Sequence, residues 1–481
     1  MLLQAAGYTL GFLICVIILA RSRSRGVRRS VLLAVSLGLY LTWTPWFAAV
    51  LLSSAVMNYL VGHWLRRQPS AAPLAIGVLL NLALLGTFKY LPELVSSHAP
   101  SAVSSFEHLA LPLGISFWTF QALSYLFDLY RGEELDPSFL EFLLYLSFFP
   151  VTISGPICRL PDLLPQFRSD ARTPLSDIRE GLRRIAIGIV MMLLAELLAR
   201  GVLGGDGIVS GFDHATQWTG ADAWCLAFGF GLQLFFDFAG YSHIAIGAAK
   251  AMGLTVPENF DRPFASTTPS VFWTRWHMSL SFWIRDYVFL PFATLRREIW
   301  WRNFALVLAM VLFGLWHQAS LLFLLWGGYH GVLLVAHRQV QQVERRFQWE
   351  PGPQFWGPIS WVATISFISL GWIFFRAHSL SQAQRMFSAV LSPATYSSHY
   401  LSASLYLLVS SLALGYALVV FIGELMDRYT EPASNLSGAW AFAVRCRWFW
   451  ILPLYALTVI LLLMITFTQE GGAAQFMYSR F

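Results

Sequence analysis

The chain has 481 residues, of which 57% are hydrophobic, 16% aromatic and only 12% charged, roughly half the charged share of an average soluble domain. So few ionised groups cannot coat a water-soluble body of this size, which excludes a soluble enzyme or binding module and leaves a single membrane domain. The formal charge of +6 does not indicate nucleic acid, because the basic residues form short clusters between apolar runs, the pattern of cytoplasmic loops.

Uncharged windows at or beyond the roughly 20 residues that cross a bilayer recur along the chain. They run over Met1 to Ala20, Ser30 to Leu65, Gln68 to Phe88, Asn303 to His337, Pro351 to Phe375, Met386 to Gly423 and Trp448 to Gln469. Three can hold a span plus a turn or two tilted spans. Shorter runs at Phe142 to Cys158, Ile185 to Ala195 and Ala223 to Phe236 add to the count. The expectation is an all-α polytopic membrane protein with about ten to thirteen membrane helices.

Arg21, Arg23, Arg25, Arg28 and Arg29 follow the first window with no charge ahead of it, which predicts a retained anchor with its N-terminus outside. Arg66 and Arg67, Arg179 with Arg183 and Arg184, Arg338 with Arg345 and Arg346, and Arg445 with Arg447 would also lie inside, placing the C-terminus outside. Cys15, Cys158, Cys225 and Cys446 are scattered, so neither a disulfide framework nor a metal site is indicated.

Polar breaks near Pro92 to Glu107, Arg159 to Arg184, Gly204 to Asp222 and Asp427 to Gly438 read as loops or interfacial helices. Pro257 to Phe292 is different, since it mixes Arg, Asp, His and Trp too densely for a lipid-facing helix. Ionisable groups at membrane depth are costly unless they face a cavity or one another, so re-entrant or interfacial structure is expected there.

Within it, Trp273-Thr274-Arg275-Trp276-His277 continues to Ile284-Arg285-Asp286-Tyr287. Arg275 and Arg285 can hold the phosphates of an acyl carrier, Asp286 can neutralise one of them, and His277 can polarise a carbonyl or assist proton transfer. An amphipathic helix anchored by Trp and Arg at the membrane surface is the alternative. The second candidate is His317 in Gly314-Leu315-Trp316-His317-Gln318-Ala319, a potential base near neutral pH inside an uncharged window. The alternative there is an imidazole hydrogen-bonded between helices. His330 lies thirteen residues later in Gly327-Gly328-Tyr329-His330-Gly331. One unbroken helix would separate the two by about 3.6 turns, and the glycines predict a break or close packing.

Trp273 to Pro291 together with Gly314 to Ala319 resembles the membrane-bound O-acyltransferase superfamily, in its bacterial branch typified by alginate O-acetyltransferase and the teichoic acid D-alanyl transfer protein. Further segments resemble it in order: Phe88-Lys89-Tyr90, Leu111 to Phe117 and on through Tyr130-Arg131-Gly132, Phe148-Phe149-Pro150 with Ser154-Gly155-Pro156-Ile157, Gln233 to Ser242, and Trp372 to Ala377. One departure is His243, where that branch leads us to expect an acidic residue. Asp237 in the same segment reads as a structural hydrogen-bond partner. The resemblance implies a ring or funnel of membrane helices, a catalytic role for His317, and a second functional position at His277. Trp276, Arg275, Arg285, Asp286, Trp316 and His330 follow as substrate-binding candidates.

The chain ends Phe476-Met477-Tyr478-Ser479-Arg480-Phe481, similar to the terminal Phe-x-Tyr-x-x-Phe signature of polymer-acylating systems in this family. That implies Tyr478 as a transient acyl acceptor on an extracytoplasmic tail, residues 471–481, following a transferase domain over 1–470. The ten residues from Thr468 to Tyr478 can reach roughly 33 to 36 Å. The implied reaction draws acetyl from a cytoplasmic thioester, with acetyl coenzyme A as donor substrate and no bound cofactor. The acyl group then passes through an extracytoplasmic acetyltransferase partner to a polysaccharide, and the location implied is the inner membrane. D-alanyl transfer to teichoic acid, a transporter and a lipid acyltransferase are the competing readings.

Overall fold

The computed structural model describes residues 2–42, 45–92, 111–202, 205–213, 215, 217–348 and 353–429. Among them the structure is helical, with no strand and a single antiparallel bridge between Phe260 and Trp276. Six helices are long and apolar enough to cross a membrane, and Gly7–Arg21 adds a shorter apolar one.

In chain order the helices are α1 (Leu2–Arg21), α2 (Arg25–Leu41), α3 (Pro45–Arg67), α4 (Ala71–Leu85), α5 (Ile115–Tyr130), α6 (Phe139–Ser147), α7 (Leu160–Phe167), α8 (Leu175–Arg200) and α9 (Ile208–Asp213). Then follow α10 (Gly220–Ala251), α11 (Pro269–Arg275), α12 (Met278–Ile284), α13 (Leu290–Ala293), α14 (Ile299–His317), α15 (Leu321–Phe347), α16 (Pro353–Arg376), α17 (Leu380–Leu391) and α18 (Ala403–Tyr429).

Most apolar windows became helices, and long ones divided where the sequence provides a break. Asn303 to His337 splits into α14 and α15 at Gln318 to Ser320, where the Ser320 hydroxyl caps α15 by accepting from the Phe323 N–H. Phe142 to Cys158 forms no span. Only its residues 142–147, the end of α6, are helical, because Pro150, Gly155 and Pro156 interrupt the run that follows. The window Trp448 to Gln469, the Arg445 and Arg447 cluster, Cys446 and the terminal signature with Tyr478 lie outside the described residues.

Two compact units interleave along the sequence. The first takes residues 1–185, 241–259 and 278–291, and the second takes 186–240, 260–277 and 292–481. The chain therefore passes from one to the other within α8 and within α10.

In the first unit, α3 and α4 are joined by a reciprocal amide pair. Asn58 donates to Asn81 Oδ1 at 3.2 Å and Asn81 donates to Asn58 Oδ1 at 2.7 Å, both side chains being fully buried. Such a pair satisfies groups that lipid cannot. One end of this unit collects the basic loops. Arg25 meets Asp170 at 3.0 Å, Arg29 and Arg168 both bind Glu141, and Arg66 pairs with Asp136, whose carbonyl also accepts from Arg168 at 2.7 Å. Ser138 and Glu141 close a capping box at the start of α6. The Arg168 hydrogen bond outweighs burial and holds the Glu141 carboxyl down to about 2.

In the second unit, α14 and α15 form an antiparallel hairpin of unusually close approach. A Cβ on Gly314 would stand 2.2 Å from the Phe323 carbonyl oxygen, and one on Gly327 would stand 2.3 Å from that of Met310. Gly327 and Gly331 are four residues apart, the small-residue spacing that lets membrane helices meet backbone to backbone.

Backbone cannot retreat from such a clash, so Gly327→Val should cost about 1–3 kcal/mol of stability. Gly328→Ala is the control, since a Cβ there meets nothing closer than 4.0 Å. Thermal unfolding of the purified variants in detergent measures both, and an unshifted midpoint for Gly327→Val would contradict the close packing.

Candidate active site

The second unit gathers His277, His317 and His330. Thr268 caps α11 by accepting from the Val271 N–H, and Pro269 occupies its first turn. The helix ends at Arg275, whose carbonyl accepts from the Asp261 N–H at 3.0 Å, and Trp276 continues extended to bridge with Phe260. His277 then turns the chain with a φ of 44°, a left-handed conformation that costs a non-glycine residue roughly 1–2 kcal/mol. Its imidazole is 1% exposed and meets the Phe238 ring edge to face at 4.6 Å.

Trp276 stacks on Phe272 at 5.4 Å and touches Trp372 at 5.0 Å. Trp372 in turn meets Phe375 at 5.7 Å, and Phe375 meets the His317 ring at 5.2 Å. His317 is the last residue of α14 and 5% exposed. Phe313, Trp316, Phe323, Trp326 and Phe375 surround it at centroid distances of 4.7 to 6.0 Å.

His330 sits on the other helix of the hairpin with Trp273 and Trp326 each at 5.1 Å. The break after His317 thus brings both histidines to Trp326, where a continuous helix would have held them apart. Neither ring nitrogen of His330, nor the indole N–H of Trp273, Trp326 or Trp372, has a hydrogen-bond partner among the described residues. Buried polar atoms left unmet are expensive, and a concentration of them marks a place where a ligand or water supplies the partner.

Arg285 and Asp286 belong to the first unit and Arg275 to the second. Arg285 Nε donates to Asp286 Oδ1 at 2.7 Å, Arg159 donates to Asp286 Oδ2 at 2.6 Å, and Arg131 donates to the Asp286 carbonyl at 2.6 Å. Burial pushes the Asp286 carboxyl up, but the Arg285 and Arg159 hydrogen bonds more than offset it and leave it below its ordinary value. Burial disfavours the Arg159 cation, and Asp286 reverses that, so its pKa rises.

In the same unit, Ser279 Oγ donates to Asn259 Oδ1 at 2.6 Å and accepts from the Ile157 N–H at 3.0 Å. Sequence reasoning missed Arg131, Arg159, Trp326 and Trp372. The arginines had a signal, each bordering an apolar run, whereas a tryptophan facing a site reads the same as one facing lipid.

The family model of membrane-bound O-acyltransferases matches residues 76–377. The chain belongs to the membrane-bound O-acyltransferase family. It is 34% identical over 425 residues to a probable alginate O-acetylase of Pseudomonas aeruginosa, covering 84% of this chain and 78% of that protein. A peptidoglycan O-acetyltransferase of Helicobacter pylori is 31% identical over 418 residues, covering 79% and 77%. A teichoic acid D-alanyltransferase of Bacillus subtilis is 30% identical over 310 residues, covering 62% and 76%. The chain is therefore a multi-pass membrane O-acyltransferase. The family match includes all three histidines and ends before Tyr478.

The left-handed backbone at His277 allows its two contributions to be separated. Asparagine tolerates that conformation, so His277→Asn should retain the fold while losing acyl transfer. His277→Val should lose roughly 1–2 kcal/mol of stability as well. Unfolding midpoints and transfer rates of the two variants provide the test; full activity in His277→Asn would remove the imidazole from the mechanism.

Proposed function

We propose that this acyltransferase moves acetyl from a cytoplasmic thioester, acetyl coenzyme A, across the inner membrane for O-acetylation of an extracytoplasmic polysaccharide. The observation that carries the reading is His317 at the mouth of the α14–α15 turn, buried among aromatic rings in the same unit as His277. Acetyl transfer is favoured by relatives named for O-acetylation of alginate and peptidoglycan. The cytoplasmic donor side is supported by the basic residues collected at one end of the first unit, an arrangement that also suits extracytoplasmic termini.

His317 takes the phenolic proton of Tyr478, and the oxygen attacks the thioester carbonyl, since a neutral phenol needs such activation. The carbon–sulfur bond breaks, the thiolate leaves and the proton follows it. His277 and Trp276 orient or polarise the carbonyl, while Trp316 and His330 line the bound acyl group. Arg275, Arg285 and Asp286 serve the donor. The tail over 471–481 then presents the acetyl ester of Tyr478 to a partner acetyltransferase outside, which acylates the polymer.

His317→Ala should lower transfer by about 10² to 10⁴ fold, the usual contribution of a general base, measured as acetyl on the polymer. Radiolabelled acetyl should remain on the parent protein and be absent from Tyr478→Phe. Label on that variant at the parent level would overturn the covalent step. D-alanyl transfer is the second reading, raised by the likeness to a teichoic acid D-alanyltransferase; the mass of the Tyr478 adduct separates acetyl from alanyl.

A further inference from the structure

Three arginines from distant parts of the sequence converge on one residue in the first unit, Arg159 and Arg285 on the Asp286 carboxylate and Arg131 on its backbone carbonyl. Arg131 closes α5, Arg159 precedes α7 and Arg285 follows α12. Each gives Asp286 a hydrogen bond of 2.6 to 2.7 Å, using one of the five N–H donors a guanidinium carries. The guanidiniums of Arg131 and Arg159 also lie over the ring of Tyr287, at 4.9 and 5.1 Å. The Tyr287 hydroxyl donates to Asp128 Oδ1 at 2.7 Å, and this second carboxylate offsets part of the charge of Arg131 and Arg159. Asp286 and Asp128 together balance two of the three arginines, which leaves one positive charge in excess and N–H forks to spare, with Arg285 half exposed. That is the donor set for a phosphate.

The position fits as well. Arg131 opens the loop whose Asp136 meets Arg66 and Arg168, so the arginine cluster stands at the end of the unit that carries the basic loops. Along α5, Gln121 lies on the same face as Asp128 and two turns before it, about 10 Å away. Gln121 is 1% exposed, and neither its side-chain oxygen nor its nitrogen has a hydrogen-bond partner among the described residues. A buried carboxamide with both ends unmet is complementary to another amide.

We infer that this face of the first unit binds the phosphopantetheine portion of the acyl donor. The phosphate rests on Arg131, Arg159 and Arg285, with Asp286 as the residue that positions them, and an amide of the arm pairs with Gln121. The inference rests on the thioester-donor reading above and adds the residues that select the donor. Coenzyme A and the prosthetic group of an acyl carrier protein share this chemistry.

The test compares acetyl-pantetheine with acetyl-phosphopantetheine, acetyl coenzyme A and an acetylated carrier protein, using the full-length chain in detergent. The parent should favour the phosphate-bearing thioesters in kcat/KM. Arg131→Gln and Arg285→Gln should each reduce that preference roughly tenfold, the worth of one charge-assisted hydrogen bond. Arg25→Gln, an exposed arginine paired with Asp170 and making no bond to Asp286, should leave it unchanged. Gln121→Leu should raise KM for the thioesters with and without phosphate. An unaltered preference in both arginine variants overturns the phosphate site while leaving the thioester reading standing; a parent that accepts acetyl from none of the four overturns both. Turnover of the carrier protein and not of coenzyme A upholds the site and assigns its source.

Discussion

The contact on which the second unit depends is backbone against backbone. Gly314 approaches the Phe323 carbonyl and Gly327 that of Met310 so closely that no side chain fits between. Two helices held at that distance bring the end of one beside the middle of the other, and His317 and His330 come to share Trp326. The chemistry proposed for the imidazoles therefore rests on the absence of two methyl groups. In a membrane, where apolar burial gives helices little reason to associate, such proximity is what packing has to offer.

Much of this was legible from residue order alone. The uncharged windows marked the long helices, and the glycines around His330 marked the close packing of α14 on α15. The density of Arg, Asp, His and Trp between Pro257 and Phe292 singled out the stretch that became short helices and a bridge. Phe142 to Cys158 misled because hydrophobicity was counted and Pro150 and Pro156 were not. What could not be read was convergence. Nothing local to Arg131 or Arg159 announces Asp286 more than a hundred residues later, and Trp372 reaches Trp276 only because the chain folds back. Arg275 and Arg285, ten residues apart in the sequence, fall in different compact units.

The two units divide the chemistry as they divide the chain. The second holds imidazoles among aromatic rings, where few groups compete for a proton and indole N–H groups await partners. The first holds guanidiniums, a carboxylate and an amide, suited to an ionic and hydrogen-bonding ligand. In the proposed reading the imidazoles serve the reaction and the guanidiniums the recognition of the donor, tasks that make opposite demands on polarity.

The Asn58 and Asn81 amides carry a consequence for biogenesis. Each amide nitrogen also donates within its own helix, Asn58 to the Ser54 carbonyl and Asn81 to that of Gly77, but on a helix inserted alone each amide oxygen would face hydrocarbon, and only the pairing satisfies it. Only Gln68, Pro69 and Ser70 separate α3 from α4, so the partner for each amide is the adjacent span. The two are built to leave the insertion machinery as a single hairpin, their order of entry written into the shortness of the turn.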